Sequence, residues 1–311
     1  LCSMVNRVKS YPYKLGVDVG GTKIEIAALD KEGKFLLRRR VPSPKDDYGK
    51  TVELISSLVE EADEELGAAS PVGFSIPGTI SPATGLMKNA FNSPLNGHAF
   101  DRDLAERLSR PVRMLNDANC FAISEAKDGA AAGAKIVFGV IIGTGCGGGI
   151  VMDGKVLVGM NAIGGEWGHN PLPWPGDRER PGLKGTDGKF GTIETFLSGT
   201  GFQAQHEAVT GEILSAQEIV RDAECGDEAC QESLSDYTNR LARALSSIVN
   251  VIDPDVIVLG GGLSNIRSLY HEVPKLWGEW IFSDRVDTQL VPPKFGDSSG
   301  VRGAAWLWDD A

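Results

Sequence analysis

The segment Asp18-Val19-Gly20-Gly21-Thr22-Lys23 places an acidic residue and a phosphate-sized turn at the end of a strand. Leu15, Val17 and Val19 alternate as a half-buried strand does, which sets Asp18 near its exposed end. Gly20 and Gly21 permit a tight turn whose backbone N–H groups approach an anion, while Thr22 adds a hydroxyl and Lys23 a positive charge. The following Ile24-Glu25-Ile26-Ala27-Ala28-Leu29 is β-rich, so a second strand leaves the turn. A Walker loop instead runs Gly-Lys-Ser/Thr into a helix.

Two further constellations carry polar chemistry. Asn116-Asp117 falls where a strand gives way to a helix. It reads either as a helix cap or as a carboxylate placed to take a proton from a substrate hydroxyl. Glu166 and His169 share one face if the chain makes a helical turn there. That pair suits sugar hydroxyls, although Glu166 also suits a helix start and His169 a metal. Glycine turns recur at Gly143-Thr144-Gly145-Cys146-Gly147-Gly148-Gly149 and at Gly260-Gly261-Gly262. A Rossmann reading of Gly145-x-Gly147 fails, because a strand follows it where that fingerprint opens a helix.

The elements that must position these residues alternate as in α/β architecture. Strands are predicted over 35–41, 72–76, 112–115, 136–142 and 256–262, and a hairpin arm over 150–158 turning at Asp153-Gly154. Helices are predicted over 51–66, 101–109, 120–132, 233–252 and 300–307. The strand, glycine turn, strand pattern of the N-terminus recurs after residue 136, which predicts two related α/β halves clamping a nucleotide. Residues 171–191, rich in Pro, Gly and charge, read as a loop. His98, His206 and His271 have no chemical setting and read as solvated.

A chain of 311 residues suits two domains. A net charge of −11 argues against nucleic acid or acidic membranes as partners. Five cysteines without a dense framework favour a reducing, cytoplasmic setting. No apolar run approaches the roughly 20 residues of a membrane span. Residues 1–13 lack the apolar centre of a signal peptide and read as an extension.

Taken in order, Asp18-x-Gly20-Gly21-Thr22-Lys23, Asn116-Asp117, the Gly143–Gly149 run, Glu166-x-Gly168-His169 and Gly260-Gly261-Gly262 resemble the ROK-family sugar kinases. The resemblance spans about residues 14–308. The longer stretches 164–174, 253–262 and 296–308 look like the bacterial fructokinase or manno(fructo)kinase branch. It implies an actin-like ATPase (ribonuclease H-like) fold, with two α/β domains around an interdomain cleft that closes over sugar and ATP. The N-terminal domain would cover 14–117, completed by the C-terminal helix at about 297–311, and the C-terminal domain 118–296. It implies ATP with Mg²⁺, and a hexose (fructose, mannose or glucose) phosphorylated at its 6-hydroxyl.

Carried over position by position, Asp117 is the general base. Gly78, Asn89, Asn116, Glu166, His169 and Glu194 contact the sugar with it. Gly20, Gly21, Thr22, Lys23, Thr144, Gly145, Gly260 and Gly261 line the nucleotide site, and Asp18 helps position hydrated Mg²⁺. A homodimer is also implied. One departure concerns zinc. Family members commonly hold a structural Zn²⁺ with three thiolates and the imidazole, but here Gly185, Asp187 and Thr192 stand in the cysteine positions. No tightly bound zinc is expected, and weak sugar affinity or an altered substrate would be a consequence. The alternatives are an N-acetylhexosamine kinase or a catalytically weakened sugar-binding protein. A ROK repressor would need a helix-turn-helix domain before the kinase-like fold, and only 14 residues precede Leu15.

Overall fold

The computed structural model describes residues 11–309, apart from Asn92 and the side chain of Asp297. Residues 1–10 of the expected extension lie outside the described residues. The chain divides into two compact units. One takes the described residues up to Ser124, Gly159–Ala162 and those from Ser298 on; the other takes Glu125–Val158 and Ile163–Asp297. The sequence reading set the division after Asp117.

In the first unit β1 (Lys14–Val19), β2 (Lys23–Leu29) and β3 (Phe35–Pro42) form an antiparallel meander. After α1 (Tyr48–Leu66), β4 (Val72–Ile76) pairs in parallel with β1 and sets Asp18 opposite Ser75. A small hairpin, β5 (Thr79–Ile80) with β6 (Met87–Lys88), and α2 (Phe100–Leu108) precede β7 (Val112–Asn116), and α3 (Asp117–Lys127) follows. The sheet order is β3-β2-β1-β4-β7. Helix α1 starts because Asp47 accepts from Lys50 N and stops at left-handed Gly67. It buries Ile55, Leu58, Val59 and Ala62 against the sheet core of Leu15, Val17, Ile24, Ile26 and Phe74.

The second unit repeats the opening move. Antiparallel β8 (Ile136–Ile142) and β9 (Cys146–Met152), with short β10 (Lys155–Val156), begin it. Then come α4 (Glu194–Leu197), α5 (Gly199–Thr210), α6 (Ala216–Glu224) and the long α7 (Glu228–Ile252). Strand β11 (Val256–Gly260) pairs in parallel with β8; α8 (Leu269–Leu276) and β12 (Gln289–Val291) complete the order β10-β9-β8-β11-β12. Its own core gathers Phe138, Phe196, Phe202, Tyr237, Leu241 and Ile257.

The last helix, α9 (Ser299–Trp306), belongs to the first unit and packs on β1 and β4. Its approach is so close that a methyl group on Gly73 would overlap the carbonyl oxygen of Ala304, and one on Gly303 that of Cys120. Small residues therefore let backbone meet backbone here.

Three expectations change. The glycine run after Ile142 is not one long turn: strand resumes at Cys146, so the predicted 150–158 arm is the end of β9 plus β10 across the Asp153-Gly154 turn. Helix 120–132 begins at Asp117 and ends at Lys127. His206 is buried, with Nδ1 2.8 Å from Ser233 Oγ, whereas His98 and His271 are exposed. A pattern of polar neighbours on α5 hid the apolar face that draws His206 inward. Among the described residues no helix is long and apolar enough to cross a membrane.

Candidate active site

In the first unit, the β1–β2 turn is closed by Gly20 N donating to Lys23 O at 2.9 Å, and Thr22 O accepts from Ser43 N at 3.0 Å. Gly21 and Thr22 are exposed at its tip. Gly20 and Gly21 also line a cavity of about 200 Å³ with Ser43, Lys45, Thr51 and Ser93. Behind the turn, Asp18 is half-buried. Burial pushes its carboxyl up, opposed by the Ser75 hydroxyl, raised further by Glu25 and relieved in part by Lys23 and Arg40. Glu25 itself is fully covered and paired with Arg38 and Arg40.

Asn116 and Asp117 divide the two readings between them. Asn116 is the cap, its Oδ1 accepting from Asn119 N at 2.9 Å. Asp117 is exposed in the first turn of α3, where its Oδ1 accepts from Ala118 N at 2.8 Å and from Asn116 Nδ2 at 3.2 Å. The helix start thus fixes a carboxylate at the surface of the unit. Gly78 and Asn89 lie side by side at the root of the β5–β6 hairpin, both with positive φ. A Cβ on Gly78 would come within 2.7 Å of Ala90 N.

In the second unit, three segments meet at the end of β8. Gly199 N, opening α5, donates to Gly143 O at 2.6 Å, and Thr200 Oγ1 donates to Thr144 O at 2.9 Å. Gly261, with φ of 81°, lies against the same turn: a Cβ there would sit 2.5 Å from Ile142 O. The turn at Thr144 and Gly145, the glycines after β11 and the N-terminus of α5 therefore lie together at the end of β8. The α5 contribution was missed, although Ser198-Gly199-Thr200-Gly201 carries an N-cap serine. Gly147, Gly148 and Gly149 do something else. A Cβ on Gly148 would lie 2.8 Å from Gly165 O and 2.8 Å from the Trp167 ring. They let the Gly164–His169 segment lie flat on β9, where Trp167 Nε1 donates to Gly147 O at 3.0 Å.

That packing turns residues Trp167–His169 into a 3₁₀ turn, bringing Glu166 Oε2 to 3.9 Å from His169 Nε2. Glu194, at the start of α4, accepts from Cys146 N through Oε2 at 3.0 Å. The loop between them is pinned at both ends by the Pro171↔Thr192 and Lys184↔Phe190 bridges. Midway, Arg243 of α7 donates to Pro173 O and Trp174 O at 3.1 and 2.7 Å and to Glu179 Oε1 at 2.6 Å. Arg240 Nε reaches the same oxygen at 2.8 Å. Nothing in the sequence pattern tied these arginines to that loop.

The zinc positions do come together: a Cβ on Gly185 would lie 3.1 Å from Asp187 Oδ1 and 3.4 Å from Thr192 Oγ1, and Asp187 Oδ2 is 3.4 Å from His169 Nδ1. The donors there are one imidazole, one carboxylate and one hydroxyl, with no thiolate. That set does not fit a closed structural Zn²⁺ site. Among the described residues no group of three or more His, Cys, Asp or Glu side chains is placed to hold a metal.

The N-acetyl-D-glucosamine kinase of Photobacterium profundum is 41% identical to this chain over 297 residues, covering 94% of the chain and 98% of the relative. That of Vibrio cholerae is 40% identical with the same coverage. Among solved structures, a ROK hexokinase from Thermus thermophilus superposes with a TM-score of 0.85 at 27% identity, covering 94% of this chain and 96% of that one. A ROK glucokinase from Streptomyces griseus, bound to glucose and AMPPNP, gives 0.76 at 26% identity, with 96% and 100% covered. The fold is that of the actin-like ATPases. The ROK family model matches residues 14–311, and the chain belongs to the ROK family of sugar kinases.

Proposed function

We propose that this protein transfers the γ-phosphoryl group of ATP to the 6-hydroxyl of an amino sugar of the N-acetylglucosamine type. The observation that carries the reaction is Asp117, an exposed carboxylate fixed by the Ala118 N–H while Asn116 does the capping. A base so placed can take the hydroxyl proton as the nucleophile forms. Gly78, Asn89, Asn116, Glu166, His169 and Glu194 bind and orient the sugar. Gly20, Gly21, Thr22, Lys23, Thr144, Gly145, Gly260 and Gly261 bind the nucleotide, their backbone donors facing charge that spreads over the transferring group. Asp18 fits a hydrated Mg²⁺, because its half-buried carboxylate is only partly compensated by Ser75, Lys23 and Arg40. Bound there, the ion would neutralise phosphate charge.

The substrate class rests on the relatives. The sequence reading ranked fructose and mannose first and N-acetylhexosamines second, whereas relatives near 40% identity are N-acetylglucosamine kinases. A neutral hexose remains the second reading, supported by the hexokinase and glucokinase among the structural neighbours.

The test is ADP release with Mg-ATP across N-acetylglucosamine, N-acetylmannosamine, glucose, mannose and fructose, with Asp117→Asn alongside. The expected result is turnover highest on N-acetylglucosamine, cut about 10²–10⁴-fold in the variant with sugar binding retained. Near-normal turnover in Asp117→Asn would refute the base, and preference for fructose would refute the substrate.

A further inference from the structure

We propose that Asp187 is a positioning residue for His169, holding the imidazole in one tautomer so that Nε2 is presented as a hydrogen-bond acceptor beside Glu166. The proposal rests on the reading of His169 as a sugar contact, but its first test does not need turnover.

Asp187 is itself fixed. Its Oδ1 accepts from Lys189 N at 3.0 Å, and its Oδ2 lies 3.6 Å from Lys189 Nζ and 3.4 Å from His169 Nδ1. The turn that carries it is closed by Gly185 N donating to Lys189 O at 2.7 Å and Gly188 N to Gly185 O at 3.0 Å. The Lys189 backbone N–H, with His169 and the Lys189 ammonium, holds the Asp187 carboxyl below the usual range. An ionised carboxylate only accepts, so the ring nitrogen facing it carries the proton. In the neutral imidazole the other nitrogen is then an acceptor.

That nitrogen, Nε2, points toward Glu166 Oε2 at 3.9 Å, a gap too wide for a direct hydrogen bond. A sugar hydroxyl that reaches this side of the ring can then donate to the bare Nε2. Without Asp187 the ring is free to take the other tautomer, which would offer N–H toward the same hydroxyl and turn the ring. The carboxylate thus does for this imidazole what the carboxylate partner of a metal-bound histidine does: it fixes the tautomer and the ring orientation.

The experiment compares wild type, Asp187→Ala and Asp187→Asn. Long-range ¹H–¹⁵N spectra read the ring nitrogens of His169, assigned by their loss in His169→Gln. Wild type should show protonated Nδ1 and bare Nε2; Asp187→Ala should shift toward the opposite tautomer. Asn, whose amide oxygen also accepts, should keep most of the wild-type pattern. In turnover assays Asp187→Ala should raise the sugar KM about 10-fold with kcat changed less than about 3-fold, as loss of uniform binding does, and Asn should recover most of it. Unchanged ring nitrogens in Asp187→Ala would overturn the proposal even in a protein inactive on every sugar. A shifted tautomer with an unchanged KM would overturn its positioning role. Inactivity on all sugars with the expected nitrogen pattern would refute the kinase reading alone.

Discussion

Replacing Glu179 by glutamine should cost about 3 kcal/mol at neutral pH and little below pH 2. The Glu179 side chain is 10% exposed, and the two guanidiniums that share its Oε1 are 9% (Arg240) and 5% (Arg243) exposed. Burial alone would raise this carboxyl. The bonds from Arg243 and Arg240 and from Gly176 N outweigh burial and hold it at about 2 against the usual 4.5. At about 1.4 kcal/mol per pH unit that difference corresponds to about 3 kcal/mol, within reach of the 3–5 typical when one partner of a buried pair is lost. Because the folded value is lowered, the stabilisation is complete above pH 4.5 and is lost as pH falls from there through about 2. Glutamine imitates the protonated acid, so the gap between wild type and Glu179→Gln should shrink to less than half by about pH 3. Urea titrations of both proteins at pH 7 and pH 3 measure it. Tryptophan emission is a local reporter, since Trp174 and Trp280 pack with ring centroids 5.1 Å apart beside the cluster. A gap under about 1 kcal/mol at pH 7, or the same gap at both pH values, would refute the reasoning.

Asp18→Asn should abolish turnover yet stabilise the folded protein at neutral pH. Its raised folded value means that ionisation opposes folding once pH exceeds the usual aspartate range, so the stability gain should vanish below about pH 3 in urea titrations; a loss of stability at pH 7 would contradict this. Gly303→Ala should lower stability by about 3 kcal/mol or more, the upper end of overpacking, because its methyl group meets the backbone of Cys120. A thermal midpoint within about 2 °C of wild type would show that α9 can shift.

The fold was legible wherever hydrophobic alternation and glycine turns agree. The β1–β2 hairpin, β8 and the parallel strands β4 and β11 follow from patterns at 15–29, 136–142, 72–76 and 256–262, whereas β9 starts inside the glycine run that reads as a turn. Of the site, Asn116-Asp117 and Glu166 with His169 were legible because their spacing sits within a single turn. What escaped was long-range. Arg240 and Arg243 lie on a helix more than 60 positions from Glu179, and no local period announces that pairing. The glycines were ambiguous for a physical reason. A missing side chain serves equally to expose N–H groups, as in the turn after Ile142, or to let two chains touch, as Gly148 does against Gly165. Only the identity of what approaches separates the two uses.

The carboxyl groups separate structure from function more sharply than the glycines do. Glu179 is buried and answered by the protein's own cations, and its value falls. Asp187 is answered by a backbone N–H, an imidazole and an ammonium, and its value falls as well. Each therefore stabilises the fold above the pH at which it ionises, and each holds the loop that carries the sugar-contact candidates. Asp18 is different. Glu25 lies beside it and holds Arg38 and Arg40 in ion pairs, so burial is left only partly opposed and the value rises. Arg38 and Arg40 are committed to Glu25, and Arg40 and Lys23 relieve Asp18 only in part, so its ionisation opposes folding. Glu179 and Asp187 are answered within the folded chain, whereas Asp18 is answered only in part, which is the arrangement that its proposed Mg²⁺ role requires.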